Sequence, residues 1–171
     1  ADPEDSSENG SRLDGRDLTQ EWLKQPKASF IWNNAQFEAL DPMKTQHVLG
    51  LFERDHLEFE ADRLTDKGGE PSLMELTTKA IDMLSKNKKG FFLMVEGGRI
   101  DHAHHAGNAY RALVETIEFS HAVRAAQLKT DPRETLILVT ADHSHTLTLS
   151  GYPKRGNPIL GKVIEPEQSD F

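Results

Sequence analysis

The sequence lacks cysteine and has few large aromatic side chains, with two tryptophans and two tyrosines among 171 residues. Without cysteine the chain has neither a disulfide framework nor a metal site built on thiolates, and its redox compartment stays undetermined. No apolar run approaches the roughly 20 residues that cross a bilayer, so no membrane-spanning segment is predicted. Acidic residues outnumber basic ones by 28 to 20, and the net charge of −8 argues against binding nucleic acid through its phosphates.

The rest of the composition is typical of one domain with its own core. An apolar fraction of 36% over 171 residues is sufficient for that purpose. Residues 1–16 are rich in proline, glycine, serine and acids, which predicts a loop with no resemblance to a signal peptide. We expect an α/β portion over residues 17–161 and an irregular tail over residues 162–171.

Helices are predicted from apolar spacing and from capping residues. Ser72 and Glu75 fit a capping box that opens a helix, and Gly90 closes it. A second, long helix is predicted from about residue 105 to residue 127. Its buried side is expected to consist of Tyr110, Leu113, Ile117 and Ala125.

Four apolar runs are predicted to be strands. Residues 30–32 and 48–52 form short runs, whereas residues 91–95 and 135–140 form stronger ones without polar alternation. Continuous apolar strands that alternate with helices are typical of a mostly parallel sheet with helices on both faces, so the predicted class is α/β. In such sheets a ligand binds outside the carboxyl ends of the strands.

Carboxylates and imidazoles follow both of the stronger strands. Glu96 comes directly after the first of them. Asp101 and His105 are four residues apart at a predicted helix start and share one face, and Asp142 and His143 follow the second strand. A carboxylate with an imidazole suits Zn²⁺, whereas a carboxylate alone is better matched to Mg²⁺. Two zinc ions about 4 Å apart are the usual clamp for phosphoryl transfer, so we predict that these five residues converge on a metal site.

A plainer interpretation exists for each cluster taken singly. Asp-His pairs also occur in surface loops, and histidine is often only a polar core or surface residue. The shared position after two strong strands favours the metal site. His104 lies out of phase with Asp101 and is expected to point outwards or to support a ligand. Three isolated histidines are interpreted as structural: His47, His56 and His121.

Several segments closely resemble the alkaline phosphatase family in its animal form. The two metal motifs, VEGGRIDHAHH at residues 95–105 and TADHSH at residues 140–145, carry the likeness most specifically. It extends to RLDGRDLTQEWL, GLFE, PSLMELTTKAIDMLS and GYPKRGNPILG, which begin at residues 12, 50, 71 and 151. The resemblance implies a large α/β fold around a mostly parallel sheet, of which this chain would be a central fragment.

The resemblance also implies a role for each matching residue of the two motifs. His102 corresponds to a position near the phosphate that tunes binding through water. His145 is the further histidine of the DHSH run and is implied to lie outside the ligand set. The implied ligands are Glu96 for Mg²⁺, Asp101 and His105 for the first zinc, and Asp142 and His143 for the second.

Animal members of the family further imply a calcium site. Its ligands would be Glu4, the backbone carbonyl of Phe52 and the side chain of Glu53, with Glu70 as a fourth candidate. The loop before Glu70 is two residues longer than the family pattern. The alternative is that these acids are ordinary surface carboxylates, because an acidic loop needs no ion to be soluble.

The chain departs from the family in one important respect. The nucleophilic serine of the family stands in an Asp-Ser-Ala setting that does not occur here, and the phosphate-gripping arginine and the last zinc histidine are not found. We therefore expect a parent enzyme that hydrolyses phosphate monoesters through a phosphoserine, and no activity from this chain alone. The alternatives are a non-catalytic metal-binding or interaction module on the same scaffold, and a related two-metal sulfatase or phosphodiesterase.

Partners and location are implied by the same resemblance. Animal members of the family are exported homodimers held to the outer membrane surface by a lipid anchor. The implied parent is thus an extracellular, cell-surface homodimer whose substrate is a phosphate monoester. No signal or anchor is visible in the 171 residues.

Overall fold

The computed structural model describes residue 10 and residues 12–148 and 151–164 of the chain. Helices and a small sheet alternate along it, and no helix among these residues is both long and apolar enough for a bilayer crossing. In chain order the elements are α1 (Leu18–Trp22), β1 (Ala28–Ile31), α2 (Asn34–Ala39), β2 (His47–Gly50), a 3₁₀ turn (Arg63–Thr65), α3 (Leu73–Leu84), α4 (Arg99–His105) and α5 (Ala109–Lys129).

The described sheet consists of β1 and β2, which pair in parallel from Ala28 opposite His47 to Ile31 opposite Gly50. Parallel neighbours need a crossover connection, and α2 supplies it. Helix α2 begins after Asn33, whose side-chain oxygen accepts the Gln36 N–H at 2.9 Å. The core of this part is buried and apolar, and comprises Ile31, Phe37, Leu40 and Phe52. The predicted α/β class and the two short strands are therefore confirmed.

The start of α3 is the capping box that its sequence predicts. The Ser72 hydroxyl accepts the Glu75 N–H at 3.2 Å, and the Glu75 carboxylate accepts the Ser72 N–H at 2.8 Å. Two N–H groups that have no partner within the helix are thereby satisfied. Helix α5 packs against both α3 and α4, and a small cluster of Phe59, Ala103 and Ala112 holds α4 in place.

The predicted long helix begins four residues late and buries a different face. Gly107 adopts a left-handed φ of +62°, which ends α4, and Asn108 caps α5 by accepting the Arg111 N–H. Tyr110, Leu113 and Ile117, which were predicted to be buried, are exposed, and Ala125 is partly buried. The buried residues of α5 are Ala112, Glu118 and Ala122. Small alanines allow close approach of the neighbouring helices, and the Glu118 carboxylate is buried because it accepts the Met74 N–H at the start of α3.

The two stronger strand predictions are wrong for the described structure, because residues 91–95 and 135–140 belong to no strand. A strand exists through backbone bonds to a neighbour, and within the described residues no such bonds join these segments to each other or to the sheet. Both segments line one side of an open apolar cavity of about 590 Å³, with α3 and α5 on the other side. Large apolar side chains are exposed in both, including Phe92, Leu136 and Leu138.

Candidate metal centre

Helix α4 supplies the first half of a cluster of carboxylate and imidazole groups. The chain enters α4 through Gly97, where an added Cβ would lie only 3.1 Å from the Ile100 side chain and 3.4 Å from the Phe119 ring. A larger residue would push the entry away from α5. One turn into the helix, Asp101 and His105 share a face, and the His105 Nε2 atom lies 3.4 Å from an oxygen of Asp101. The helical spacing of the sequence predicts this proximity, and the structure confirms it.

The segment that follows residue 140 supplies the second half. The His145 Nε2 atom lies 2.6 Å from Asp101 Oδ1, and the His143 Nε2 atom lies 3.5 Å from the same oxygen. One ligand atom from each of Asp101, His143 and His145 lies within 4.8 Å of the other two. The two motifs, separated by some forty residues in sequence, therefore meet at the Asp101 carboxylate.

Two of the five residues predicted to converge do not join the cluster. Glu96 is exposed, and within the described residues it makes no hydrogen bond or ion pair with Asp101 or with the histidines around it. Asp142 has a side chain 90% exposed, and its contacts are with His143, whose backbone N–H it accepts at 3.0 Å. The structure thus brings together Asp101, His105 and His143, and leaves Glu96 and Asp142 at the periphery.

His145 is the residue whose place in the cluster was not predicted from the residues themselves. Its ring stacks on His104 at 4.9 Å between centroids and meets the His105 ring edge-on at 4.7 Å. The signal that could have indicated it is the two-residue spacing from His143, since alternate residues of an extended segment point to the same side. His104, expected to point outwards or to support a ligand, takes the second role, because its Nδ1 donates to the Ile100 carbonyl at 2.7 Å and its ring supports His145.

The groups around Asp101 keep its side chain ionised, which is the form that binds a cation. The hydrogen bond from His145 holds the pKa of Asp101 below its usual range, and the nearby His105 and His143 act in the same direction. The pKa of His143 is raised, first by its hydrogen bond to the Ser144 carbonyl and then by Asp142. Asp101 is therefore a carboxylate at neutral pH. One carboxylate with several imidazoles is a donor set that suits Zn²⁺ or a similar divalent ion.

A second histidine pair lies beside this cluster. The ring centroids of His102 and His56 are 4.3 Å apart. His56 is therefore not isolated, although its sequence context indicated that it would be. The Arg99 guanidinium lies 3.8 Å above the Phe59 ring, and its Nη1 donates to His102 Nδ1 at 3.3 Å. Because arginine is only a donor, Nδ1 of His102 must accept, and the ring proton lies on Nε2. His47 packs edge-on against Trp22, and His121 lies 3.2 Å from Glu118, which fits structural roles for both.

Among the residues matched to a calcium site, Glu53 and Glu70 lie close enough for their charges to interact. Glu70 is 2% exposed; one of its oxygens accepts the Glu58 N–H at 2.8 Å, and the other has no hydrogen-bond partner in the described residues. Burial first, and then the negative charges of Glu53 and Asp66, raise the pKa of Glu70 to about 7, although the hydrogen bond from the Glu58 N–H acts in the opposite direction. Phe52 is buried as well, whereas Glu4 lies outside the described residues. A buried carboxylate oxygen without a partner, close to other carboxylates, fits a hard cation such as Ca²⁺.

The chain is similar to proteins of one family over nearly its whole length. The family model described as alkaline phosphatase matches residues 1–170. The tissue-nonspecific alkaline phosphatase isozymes of Gallus gallus and Homo sapiens are each 46% identical, over 98% and 97% of this chain. The chain spans only 32% of each of those relatives, about a third of their length.

Solved structures give the same result at lower identity. The alkaline phosphatase of Thermus thermophilus is 30% identical with a TM-score of 0.58, covering 68% of this chain and 23% of that one. The cold-active alkaline phosphatase of a psychrophilic Shewanella is 31% identical with a TM-score of 0.52, covering 65% and 26%. The curated relatives and the solved structures are thus all alkaline phosphatases.

Proposed function

The chain belongs to the alkaline phosphatase family, and on that premise we propose that it is the central segment of a larger phosphomonoesterase and carries part of each metal site. The observation that supports this best is the meeting of the two motifs at Asp101, since a metal-dependent phosphatase requires both at one place. Family membership implies metal cofactors. Which ions are bound, and by which residues, belongs to the proposal.

We propose the ligand set that the family match implies for the complete enzyme. Zinc ions bound there would polarise the phosphoryl oxygens and stabilise the attacking and leaving groups. Asp101 would bind as a carboxylate already held in the ionised form by its neighbours. The proposed ligands are Asp101 and His105 for one zinc, Asp142 and His143 for the second, Glu96 for Mg²⁺, and Glu4, the Phe52 carbonyl, Glu53 and Glu70 for Ca²⁺.

Other side chains of this segment would act on the substrate without binding metal. His102 lies one residue beyond Asp101 on α4 and carries its proton on Nε2, because Arg99 donates to the other nitrogen. It would therefore donate a hydrogen bond to the phosphate group or to a water bound to it. The attacking serine would come from outside the 171 residues, since no Asp-Ser-Ala motif is present.

We further propose the oligomeric state, location and substrate class that animal members of the family imply. The complete protein would be a homodimer on the outer cell surface, acting on phosphate monoesters and not on nucleic acid. The net charge of −8 fits the exclusion of nucleic acid. The 46% identity to animal tissue-nonspecific isozymes supports the rest.

A chimera tests the proposed activity. The matching third of the Gallus gallus isozyme is replaced by residues 1–171, and hydrolysis of p-nitrophenyl phosphate, p-nitrophenyl sulfate and bis-p-nitrophenyl phosphate is measured. The monoester is the expected substrate, and the isolated chain is expected to hydrolyse none of the three because it lacks the nucleophile. Asp101→Asn should lower kcat/KM for the monoester at least about 100-fold, since several kcal/mol of metal stabilisation is lost.

Asp131→Asn is the matched control, because Asp131 is paired with Arg133 away from the cluster. It should leave kcat/KM unchanged. A folded, zinc-loaded chimera that hydrolyses the sulfate or the diester instead would favour the other two-metal enzymes. A folded chimera with no hydrolysis of any ester would favour a non-catalytic module.

A further inference from the structure

We infer that His56 is a positioning residue for His102, and that it keeps the His102 ring in the orientation that presents Nε2–H to phosphate. The inference rests on the role proposed above for His102. His102 lies on α4, whereas His56 lies in the loop between β2 and the 3₁₀ turn. The fold therefore brings to His102 a residue whose sequence context indicated only a structural role.

The first restraint on the His102 ring comes from its own helix. Nη1 of Arg99 donates to Nδ1 of His102 at 3.3 Å, and the Arg99 guanidinium lies 3.8 Å from the centroid of the Phe59 ring. Phe59 is buried together with Ala103 and Ala112, so the arginine rests on a fixed surface. This hydrogen bond sets the tautomer of His102, but one bond at Nδ1 leaves the ring able to tilt, because the outer torsion angle of histidine has broad minima.

The His56 ring supplies the second restraint. Its centroid lies 4.3 Å from that of His102, and the two ring planes are inclined at 58°. Rings at this separation are in van der Waals contact, so the His102 ring cannot tilt towards His56 without a clash. A ring held at one edge by Arg99 and against a second ring by His56 has a defined direction for its Nε2–H.

The loop that carries His56 is fixed on both sides of it. Phe52, before His56, is buried in the core cluster that includes Ile31 and Phe37. Phe59, after it, is buried against α4 and α5 through Ala103 and Ala112. The backbone on either side of His56 is therefore anchored in two separate clusters, and the loop can hold a ring against His102 without a bound ion or substrate.

The ion pair that His56 makes with its neighbour does not account for its position. The Nε2 atom of His56 lies 3.6 Å from Asp55, and the two side chains are 54% and 87% exposed. Exposed pairs of this kind contribute little to stability, so the pair with Asp55 does not hold the ring in place. The contact with His102 is the one that gives the His56 ring a packed neighbour.

A donor that is ordered before the substrate arrives binds it at a lower entropic cost. The test uses the chimera described above and inorganic phosphate as a competitive inhibitor of monoester hydrolysis. A misplacement of 1 Å can cost about 100-fold, and Arg99 still holds one edge of the ring, so His56→Ala should raise Ki for phosphate about 10-fold. A variant that only folds less well contains less active enzyme, which lowers the apparent kcat and leaves Ki unchanged.

A conservative variant distinguishes ring packing from a direct contact with phosphate. His56→Phe keeps an aromatic ring beside His102 and removes both nitrogens, so Ki should stay within about 3-fold of the unmodified chimera. His121→Ala is the matched control, because His121 is an exposed histidine on α5 that contacts Glu118 instead, and it should leave Ki unchanged.

The outcomes separate this inference from the proposed function. An unmodified chimera that hydrolyses no monoester overturns the proposed function, and with it the role of His56. In an active chimera, an unchanged Ki for His56→Ala overturns the inference alone, and so does a His56→Phe variant as impaired as His56→Ala. Where His56→Ala fails to fold, nuclear Overhauser cross-peaks between the ring protons of His56 and His102 in the unmodified chain decide the question. We expect these cross-peaks, and their absence would overturn the inference.

Discussion

At the scale of single residues, Asp101 connects the two motifs. Its Oδ1 contacts His143 and His145, and its Oδ2 contacts His105. The hydrogen bond from His145, followed by the nearby His105 and His143, keeps the pKa of Asp101 low, whereas burial and negative neighbours raise the pKa of Glu70 to about 7. The surroundings of the two carboxyl groups thus shift their pKa values in opposite directions.

Glu70 makes the stability of the chain pH-dependent in calcium-free buffer. Its pKa rises from an ordinary 4.5 to about 7 on folding, so the folded state binds this proton more tightly. Stability from this group is complete below about pH 4.5 and is lost as the pH rises through 7. Relative to Glu70→Gln, the unfolding free energy of the unmodified chain should fall by at most about 3 kcal/mol between pH 5 and pH 8. Urea denaturation at each pH measures this.

Adding calcium distinguishes a Glu70 that binds the ion from a Glu70 that is only buried. Added CaCl₂ at pH 8 should stabilise the unmodified chain and leave Glu70→Gln unchanged. Glu134→Gln, at an exposed position, serves as the control and should behave like the unmodified chain. Equal stabilisation of the unmodified chain and Glu70→Gln by calcium would remove Glu70 from the proposed site.

At the scale of elements, helix ends decide the arrangement around the site. The Ser72–Glu75 box begins α3, and the buried Glu118 carboxylate of α5 accepts the Met74 N–H of the same turn. Gly107 and Asn108 end α4 and begin α5. Because of that break, α4 and α5 are separate helices that pack against each other.

The capping box is expected to stabilise the chain measurably. Ser72→Ala removes the hydroxyl that accepts the Glu75 N–H, which costs about 1 kcal/mol. The urea midpoint should fall with an unchanged slope. Ser85→Ala, at the opposite end of α3 where the side chain is exposed, should change stability by less than about 0.5 kcal/mol. Equal losses for the two variants would contradict the role given to the box.

Part of the fold and of the candidate site could be predicted from short-range patterns in the sequence. The capping box and the Asp101–His105 face follow from spacings of three and four residues, which depend on one helix alone. The break at residues 107 and 108 also had a signal, a glycine followed by a capping asparagine, which apolar periodicity does not detect. The buried face of α5 could not be predicted, because it depends on which helices pack against it.

At the scale of the whole molecule, the meeting of the motifs was predicted for a reason that the structure does not support. The sheet argument requires strands at residues 91–95 and 135–140, and both segments instead flank an open apolar cavity. Strand pairing depends on partners distant in sequence, so a single segment cannot reveal whether it will find one. What joins the motifs here is the set of contacts made by Asp101, His104 and His105 with His143 and His145.

The convergence of the motifs can be measured without metal or activity. Nuclear Overhauser cross-peaks between the His145 ring protons and those of His104 and His105 are expected in the metal-free chain, since the ring centroids lie 4.9 and 4.7 Å apart. The ring protons of His121 should show no such peaks with His145. Cross-peaks from His145 only to its sequence neighbours would contradict the account, because the DHSH segment would then lie away from α4.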